Sequence, residues 1–432
     1  MLGRMVREFL QNKDKKQLFE NFISLSLLQG VNYILPLITL PYLVRVLGPE
    51  KFGLIAFSRA FVQYFNVLTD YGFNLSATRE ISIYRESKER ISEIFSAVMI
   101  IKLILLIFSL VILTIIVFSF QKFLRDWEIY YLSFGMVVGQ VLFPVWFFQG
   151  MERMKYITFL NLMARLLFTI SIFIFIRKVS DYIYVPLLNS VGIISAGLLG
   201  IWVAFKKFPI YLKIPSWTEV KHQLKEGGYI FISRISISFY TISNVFFLGL
   251  LTNNTIVGIY SAAERLINAI KAFNNVILQV MFPFISKVAK ESPSKTLKIV
   301  NEELKIFLTL ELALCVFIYL FSYKIVLIFL GKNFIDSAPI IRILIFTVPL
   351  ILASAVIGQQ ILLNFNLKRL FTTSIVYVSL FHLVLLPIFI HFMEGIGAAI
   401  VVLITECAIV LFRIVGLYKA DRKLFALLRR AY

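Results

Sequence analysis

Two polar stripes, 205 residues apart, carry most of the chemistry this chain could do. Arg59, Gln63, Asn66, Asp70 and Asn74 follow one another at offsets 0, 4, 7, 11 and 15, and Glu264, Asn268, Lys271, Asn275 and Gln279 repeat those offsets. At about 3.6 residues per turn each set falls on one helical face, an arc of roughly 80°. From Leu54 to Ala77 there are five Lys, Arg, Asp, Glu, Asn or Gln residues, and all five are on the stripe. From Ile256 to Phe282 there are seven, of which Arg265 and Asn274 flank the stripe. Gly53 and Gly258 open the two segments at the same offset. Both segments are long enough to cross a bilayer, where charge is expensive and faces a protein interior or a water-filled cavity. At about 1.5 Å per residue each stripe covers about 22 Å of a hydrocarbon core of about 30 Å. It is a continuous lining rather than a point site. The repeated face implies a duplicated transporter with a central, charged pathway.

Other apolar segments add Arg165, Arg234, Glu311, Arg342 and Glu406. The cations Arg59, Arg165, Arg234, Arg265, Lys271 and Arg342 outnumber the acids Asp70, Glu264, Glu311 and Glu406 by six to four. A guanidinium surplus in a dry-walled cavity suits a phosphate or carboxylate, which arginine grips bidentately. The expected cargo is therefore an anion or carries an anionic head. The same four acids are the expected gate candidates. Arg59 and Glu264 occupy equivalent repeat positions and are an expected outer-gate pair. Arg45 and Arg413 lie near span ends, where snorkelling to the interface accounts for them.

The elements that must position these residues follow from composition. The chain is 59% hydrophobic and 16% charged, with mean hydropathy +0.86. A soluble domain would be nearer half apolar and a quarter charged. The sequence predicts an all-α polytopic membrane protein of about twelve spans: 21–46, 54–78, 95–120, 128–149, 157–177, 182–205, 227–251, 256–282, 303–330, 338–363, 371–391 and 395–418. Six precede the polar connection at 206–226 and six follow it. The expected organisation is an N-lobe at 1–205 and a C-lobe at 227–432, related by a pseudo-two-fold along the membrane normal, with a central cationic cavity. Lys and Arg concentrate at both ends and in the even-numbered connections, which puts both termini in the cytoplasm. The net charge of +20 is thus mainly a topology signal, and no reader motif accompanies it to suggest nucleic acid. The first 20 residues are polar and basic and the first apolar run is full length, so a secretory signal is not expected.

Smaller features have packing readings. Gly135 and Gly139 form a GxxxG, and Gly192, Ala196 and Gly200 a small-residue series; both permit close helix approach. Pro36 and Pro41 would bend the first span, with motion or fixed irregularity as equal readings. Cys315 and Cys407 fall within apolar spans, which implies buried thiols rather than a disulfide framework.

Enzyme chemistry is missing. His222, His382 and His391 have no metal-ligand spacing to another His or Cys, so no metal is expected. No phosphate-binding loop, HExxH or G-x-S-x-G is present, and no cofactor is implied.

Several short stretches resemble one family. Leu40-Pro41-Tyr42, Arg45-Val46-Leu47-Gly48-Pro49-Glu50 and Phe52-Gly53 are similar to the first loop of bacterial polysaccharide flippases. Asp70-Tyr71-Gly72-Phe73-Asn74 through Arg79-Glu80, Trp146-Phe147-Phe148-Gln149-Gly150, and Gly258-Ile259-Tyr260 through Leu266 resemble their second, fourth and eighth spans. Together they look like the Wzx-type O-antigen repeat-unit flippases, in the polysaccharide transport branch of the multidrug/oligosaccharidyl-lipid/polysaccharide (MOP) superfamily. The resemblance implies alternating access in the bacterial inner membrane, with a multi-pass chain moving lipid-diphosphate-linked oligosaccharide from the cytoplasmic to the outer leaflet. It implies an undecaprenyl carrier, surrounding membrane lipids, a coupling ion (H⁺ or Na⁺) and other polysaccharide-assembly proteins as partners, and no enzymatic activity. The alternatives are a cation-coupled multidrug exporter of the same superfamily and a membrane-embedded lipid-sugar enzyme. The first span has Gln29, Asn32 and Arg45 but no acid, which counts against the exporter.

Overall fold

The computed structural model describes residues 13–420, and every regular element among them is helical. The terminal basic residues used for topology, such as Arg4, Arg7, Arg429 and Arg430, lie outside the described residues, as do the side chains of Gln29 and Asn32. Fourteen α-helices follow in order: α1 Lys13–Asp70, α2 Phe73–Tyr84, α3 Lys88–Ser119, α4 Gln121–Leu124, α5 Trp127–Leu142, α6 Val145–Gly150, α7 Met154–Phe175, α8 Tyr184–Lys207, α9 Trp217–Leu251, α10 Asn254–Glu291, α11 Pro293–Phe329, α12 Ser337–Leu344, α13 Thr347–Ala355 and α14 Lys368–Ala420. A π-helical stretch, Val356–Leu363, continues α13.

Eight helical stretches among the described residues are long and apolar enough to cross a membrane. One of them, α14, has 53 residues broken at Glu394 (φ 50°, ψ −124°), and holds both of the last two expected spans. The other three expected spans lie in α1, in α9 and, for the end of 54–78, in α2. The protein is a multi-pass, all-helical membrane protein.

Local sequence explains where the helices start and stop. The side chain of Ser87 caps α3, accepting from the Arg90 backbone N–H, and Asn253 caps α10 by accepting from Ile256 N–H. Ser292 caps α11, whose first residue is Pro293, where a missing N–H costs nothing. α1 breaks at Gly48, with φ 69°, so the first two expected spans are joined through one non-helical residue. Pro36 and Pro41 sit within α1 without a further break of the helical dihedrals.

The described chain divides into two compact units, residues 13–46 with 58–238, and residues 47–57 with 239–420. In the first, α2, α3 and α6 bury Phe73, Ile81, Phe95, Trp146, Phe147 and Phe148 in an aromatic core. The GxxxG of α5 packs on α8: a Cβ at Gly135 would lie 2.6 Å from Ser190, and one at Gly139 would lie 2.6 Å from the Ile193 backbone. The packing reading of this motif is what the geometry shows. In the second unit α10, α11, α13, the π-helical stretch and α14 enclose Leu278, Ile285, Leu304, Leu352, Val356 and Ile361.

Candidate functional site

In the first unit the stripe is shorter than its spacing implies. α1 ends at Asp70, and Tyr71 (φ 45°) and Gly72 (φ 84°) turn the chain into α2. Asn74 therefore belongs to another helix. It stays on the site because its amide donates to Asp70 Oδ1. Asn66 donates to Gln63 Oε1 at 3.1 Å, one turn earlier. Arg59 is exposed at the other end of the stripe.

Asp70 is the hub of this unit. It is buried, and Arg234 of α9 reaches its Oδ2 at 3.4 Å. Lys102 of α3 is near enough for its charge to act on Asp70, although it is 2% exposed and makes no ion pair within 4 Å among the described residues. Lys102 is absent from the residues expected from the stripes. Its signal was present, because it is the only charged residue between Glu93 and Lys122. A lone ionisable group in such an apolar run is a functional candidate by itself. Arg165 of α7 is close enough to feel the charge of Arg59, so two guanidiniums share one region. The chemistry of this unit is thus one carboxylate among several cations.

In the second unit the stripe lies on one unbroken helix, α10. Asn268, Asn275 and Gln279 are exposed, and Glu264 and Lys271 are half-buried. Roughly opposite, Phe273, Val276, Val280 and Phe284 are exposed as well. Between these faces Ile267, Asn274, Leu278 and Ile285 are buried. A membrane helix with two open faces of opposite polarity meets two solvents, hydrocarbon on one side and water or polar cargo on the other. Lys271 interacts with both Glu264 and Glu406, and the Tyr260 hydroxyl donates weakly to Glu264 Oε1 at 3.5 Å. Lys271 thus lies near enough to the acid of α14 for the two charges to act on each other.

The remaining expected residues are placed apart from that face. The Arg265 guanidinium stacks over the Phe52 ring at 4.9 Å. Arg342 lies between Tyr319 and Tyr323 and donates to Ser322 Oγ at 2.8 Å, bridging α12 to α11. Glu311 is buried beside Asn274, whose amide also donates to the Val348 carbonyl at 3.1 Å, and Glu311 Oε2 has no hydrogen-bond partner among the described residues.

Arg413 differs from its expectation. It does not snorkel. It is 4% exposed, stacks on Phe371, and donates to Ser374 Oγ at 3.1 Å and to the Ser354 carbonyl. The carbonyl it reaches lies two residues before the π-helical stretch, so the side chain is taken inward by partners in distant segments. Cys315 and Cys407 are free, and Cys315 is buried, as their apolar context implied. Further buried polar residues that were not expected include Glu303, which accepts from Gln360 at 3.0 Å, Gln360 itself, and His382. Among the described residues no group of three or more His, Cys, Asp or Glu side chains forms a metal cluster.

Known proteins share this architecture. An Escherichia coli K12 protein named as an O-antigen transporter is 33% identical over 92% of this chain and 96% of its own length. A solved structure of the lipid II flippase MurJ, in an inward closed conformation, superposes with TM-score 0.71, covering 96% of this chain and 90% of that one at 15% identity. An inward-facing multidrug resistance transporter of the MOP superfamily gives TM-score 0.68 at 18% identity, covering 92% and 96%. Both solved structures share the helical fold. The family described as polysaccharide biosynthesis protein matches residues 18–289, which include all of the first stripe and all of the second, and this chain belongs to that family.

Proposed function

We propose that this protein is a flippase that moves oligosaccharide units linked to undecaprenyl diphosphate from the cytoplasmic to the outer leaflet of a bacterial inner membrane. The observation that carries this reading is the polar face of α10, where Asn268, Asn275 and Gln279 are exposed and Glu264 and Lys271 half-buried, while the opposite face is apolar and exposed. A face of that kind serves a polar cargo passing through a membrane. The E. coli relative's name supports a saccharide cargo. The cation surplus supports an anionic head. Lys102 adds a seventh cation to the six expected from sequence, against the same four acids. A diphosphate leaving water loses its hydration, and guanidinium and ammonium donors replace it.

In this proposal two six-span lobes, 1–205 and 227–432, are joined by 206–226, both termini are cytoplasmic, and access alternates between the two sides. Arg59, Arg165, Arg234, Lys102 and Lys271 bind the diphosphate. Arg265 and Arg342 hold the frame of the pathway through their aromatic partners. Gln63, Asn66, Asn74, Asn268, Asn275 and Gln279 line it for the sugar. An ion gradient, of H⁺ or Na⁺, drives the cycle through an acid among Asp70, Glu264, Glu311 and Glu406. The multidrug exporter remains the second reading because of the fold shared with the MOP multidrug transporter.

The test is translocation in proteoliposomes. Prenyl-diphosphate oligosaccharide is loaded, and its arrival is followed with an impermeant glycan-modifying reagent for wild type, Arg59→Met and Lys271→Met. Crossing of unmodified lipid by the wild type, reduced at least about tenfold in each variant, is the expected result. Export of apolar cations without lipid crossing would replace the flippase by the drug exporter.

A further inference from the structure

We propose that Glu303 is a proton-binding site, in which a proton on its Oε2 is shared with Gln360 Oε1, and that losing this proton loosens the π-helical stretch from α11. The site is distinct from the four acids named for the gradient, and nothing in it depends on the cargo. Glu303 lies on α11 and is 4% exposed, and Gln360 lies in the π-helical stretch and is fully buried. The Gln360 amide donates to Glu303 Oε1 at 3.0 Å. Glu303 Oε2 and Gln360 Oε1 are both buried and have no hydrogen-bond partner among the described residues. The neighbours of the pair along the two segments, Val300, Leu304, Ile357 and Ile361, belong to one apolar core cluster.

The chemistry of the two groups decides what joins them. A carboxyl and a primary amide have nearly the same shape, and edge to edge they can form two parallel hydrogen bonds. One is N–H···O. The other brings a carboxyl oxygen onto an amide oxygen, and both are acceptors unless the carboxyl carries a proton. The two atoms without partners here are the two that this second bond joins. Turning the amide over does not remove the need, because one oxygen would still meet the other. A proton on Oε2 satisfies both oxygens at once. Without it, a carboxylate and two unmet oxygens are held in an apolar cluster, which is costly.

No charge nearby offers an ionised Glu303 a counterion. α10, α12 and α13 pack on α11, and α13, α10 and α14 on the π-helical stretch. Neither α13 nor the π-helical stretch has an ionisable residue. Near this end of α11, Lys287, Lys290 and Glu291 of α10 are exposed, as are Lys298, Glu302 and Lys305 of α11 itself and Lys368 and Arg369 of α14. Arg342 of α12 is engaged with Ser322, and Arg413 with Ser354 and Ser374. Higher up, Glu406 interacts with Lys271, Glu311 lies beside Asn274, and His382 meets Asn244 and Thr405. Burial and the bond from Gln360 are what act on Glu303. A π-helical segment is held less firmly than an α-helix and often marks a functional site. It is therefore the element that yields when the pair loses its proton.

The test uses the whole protein in lipid. Infrared difference spectra of wild type and Glu303→Gln are taken at neutral pH. Expected is a protonated-carboxyl band in wild type that the variant lacks. Loss of carboxylate bands alone overturns the proposal. Gln360→Leu keeps the acid and removes its partner, so the band should move, and an unmoved band shows that the proton is not shared with Gln360. Raising the pH should remove the band and, after correction for free-amide rates, speed hydrogen exchange in Val356–Leu363 at least about fivefold in wild type. Glu303→Gln is uncharged at every pH and can still pair with Gln360, so its exchange should stay level. An equal rise in both proteins overturns the link between the proton and the π-helical stretch.

Discussion

Gly53 and Gly258, which stand at the same position in the two copies of the repeated stripe, pack against one another's helices. A Cβ on Gly53 would lie 1.8 Å from the Asn254 carbonyl oxygen and 2.6 Å from Gly258 N, and one on Gly258 would lie 2.0 Å from the Pro49 carbonyl oxygen. Both obstacles are backbone, which cannot rotate away. Gly53→Ala or Gly258→Ala should therefore destabilise by about 1–3 kcal/mol, read as a fall in the thermal midpoint of the purified protein. Gly192→Ala, whose nearest obstacle is 3.3 Å away, should cost clearly less.

Lys102 separates function from stability. Its ammonium is buried without an ion pair among the described residues, so Lys102→Met should leave the folded protein as stable as wild type or more so. The same change removes a cation beside Asp70, and lipid movement should fall by about tenfold or more. Equal loss of stability and transport would show that the lysine serves packing alone. Thermal midpoint and translocation measured on one preparation settle it.

Asp70 and Arg234 should show coupling. Asp70→Asn weakens the contact with Arg234 and leaves Lys102 without its acid, at about 1–3 kcal/mol. Arg234 is partly exposed, so its own loss should cost less. The double variant should be more stable than the sum of the singles predicts, by about 0.5 kcal/mol or more. Additive losses would place the two side chains in independent roles.

Arg413→Lys should not rescue Arg413→Ala. The guanidinium reaches Ser354 and Ser374 at once and lies flat on Phe371, and an ammonium cannot do all three. Both variants should lose about 1–3 kcal/mol, and hydrogen exchange should rise first in Val356–Leu363. A change confined to the end of α14 would show that Arg413 does not hold the π-helical stretch.

Much of the helical architecture was legible because its signal is a period. The second stripe is regular over α10, and the structure keeps it on one helix. The first is equally regular, yet α1 stops at Asp70. Tyr71 and Gly72 carry no stop signal that a helical polar face would contradict, and the side chains close the gap through Asn74. Arg413 was misread because position along a span is a one-dimensional cue, whereas its partners, Ser354, Phe371 and Ser374, lie 39 or more residues away in the sequence. His382 was invisible for a related reason. Its partners, Asn244 and Thr405, are 138 and 23 residues away and share no spacing rule with it. Lys102 needed no structure at all, only the principle already applied to the other charges.

The two open faces of α10 restrict how that helix can move. A roll about its own axis by about half a turn would carry Lys271 and Glu264 into hydrocarbon and turn Phe273, Val276 and Val280 toward water. A single charge at mid-bilayer costs about 2.5–3.5 kcal/mol on insertion scales, and the roll would place two there. Tilting, bending or sliding along the axis keeps each face in its own solvent and carries no such penalty. Whatever conformational cycle this protein undergoes, α10 travels through it with its azimuth fixed, as a rail rather than an axle.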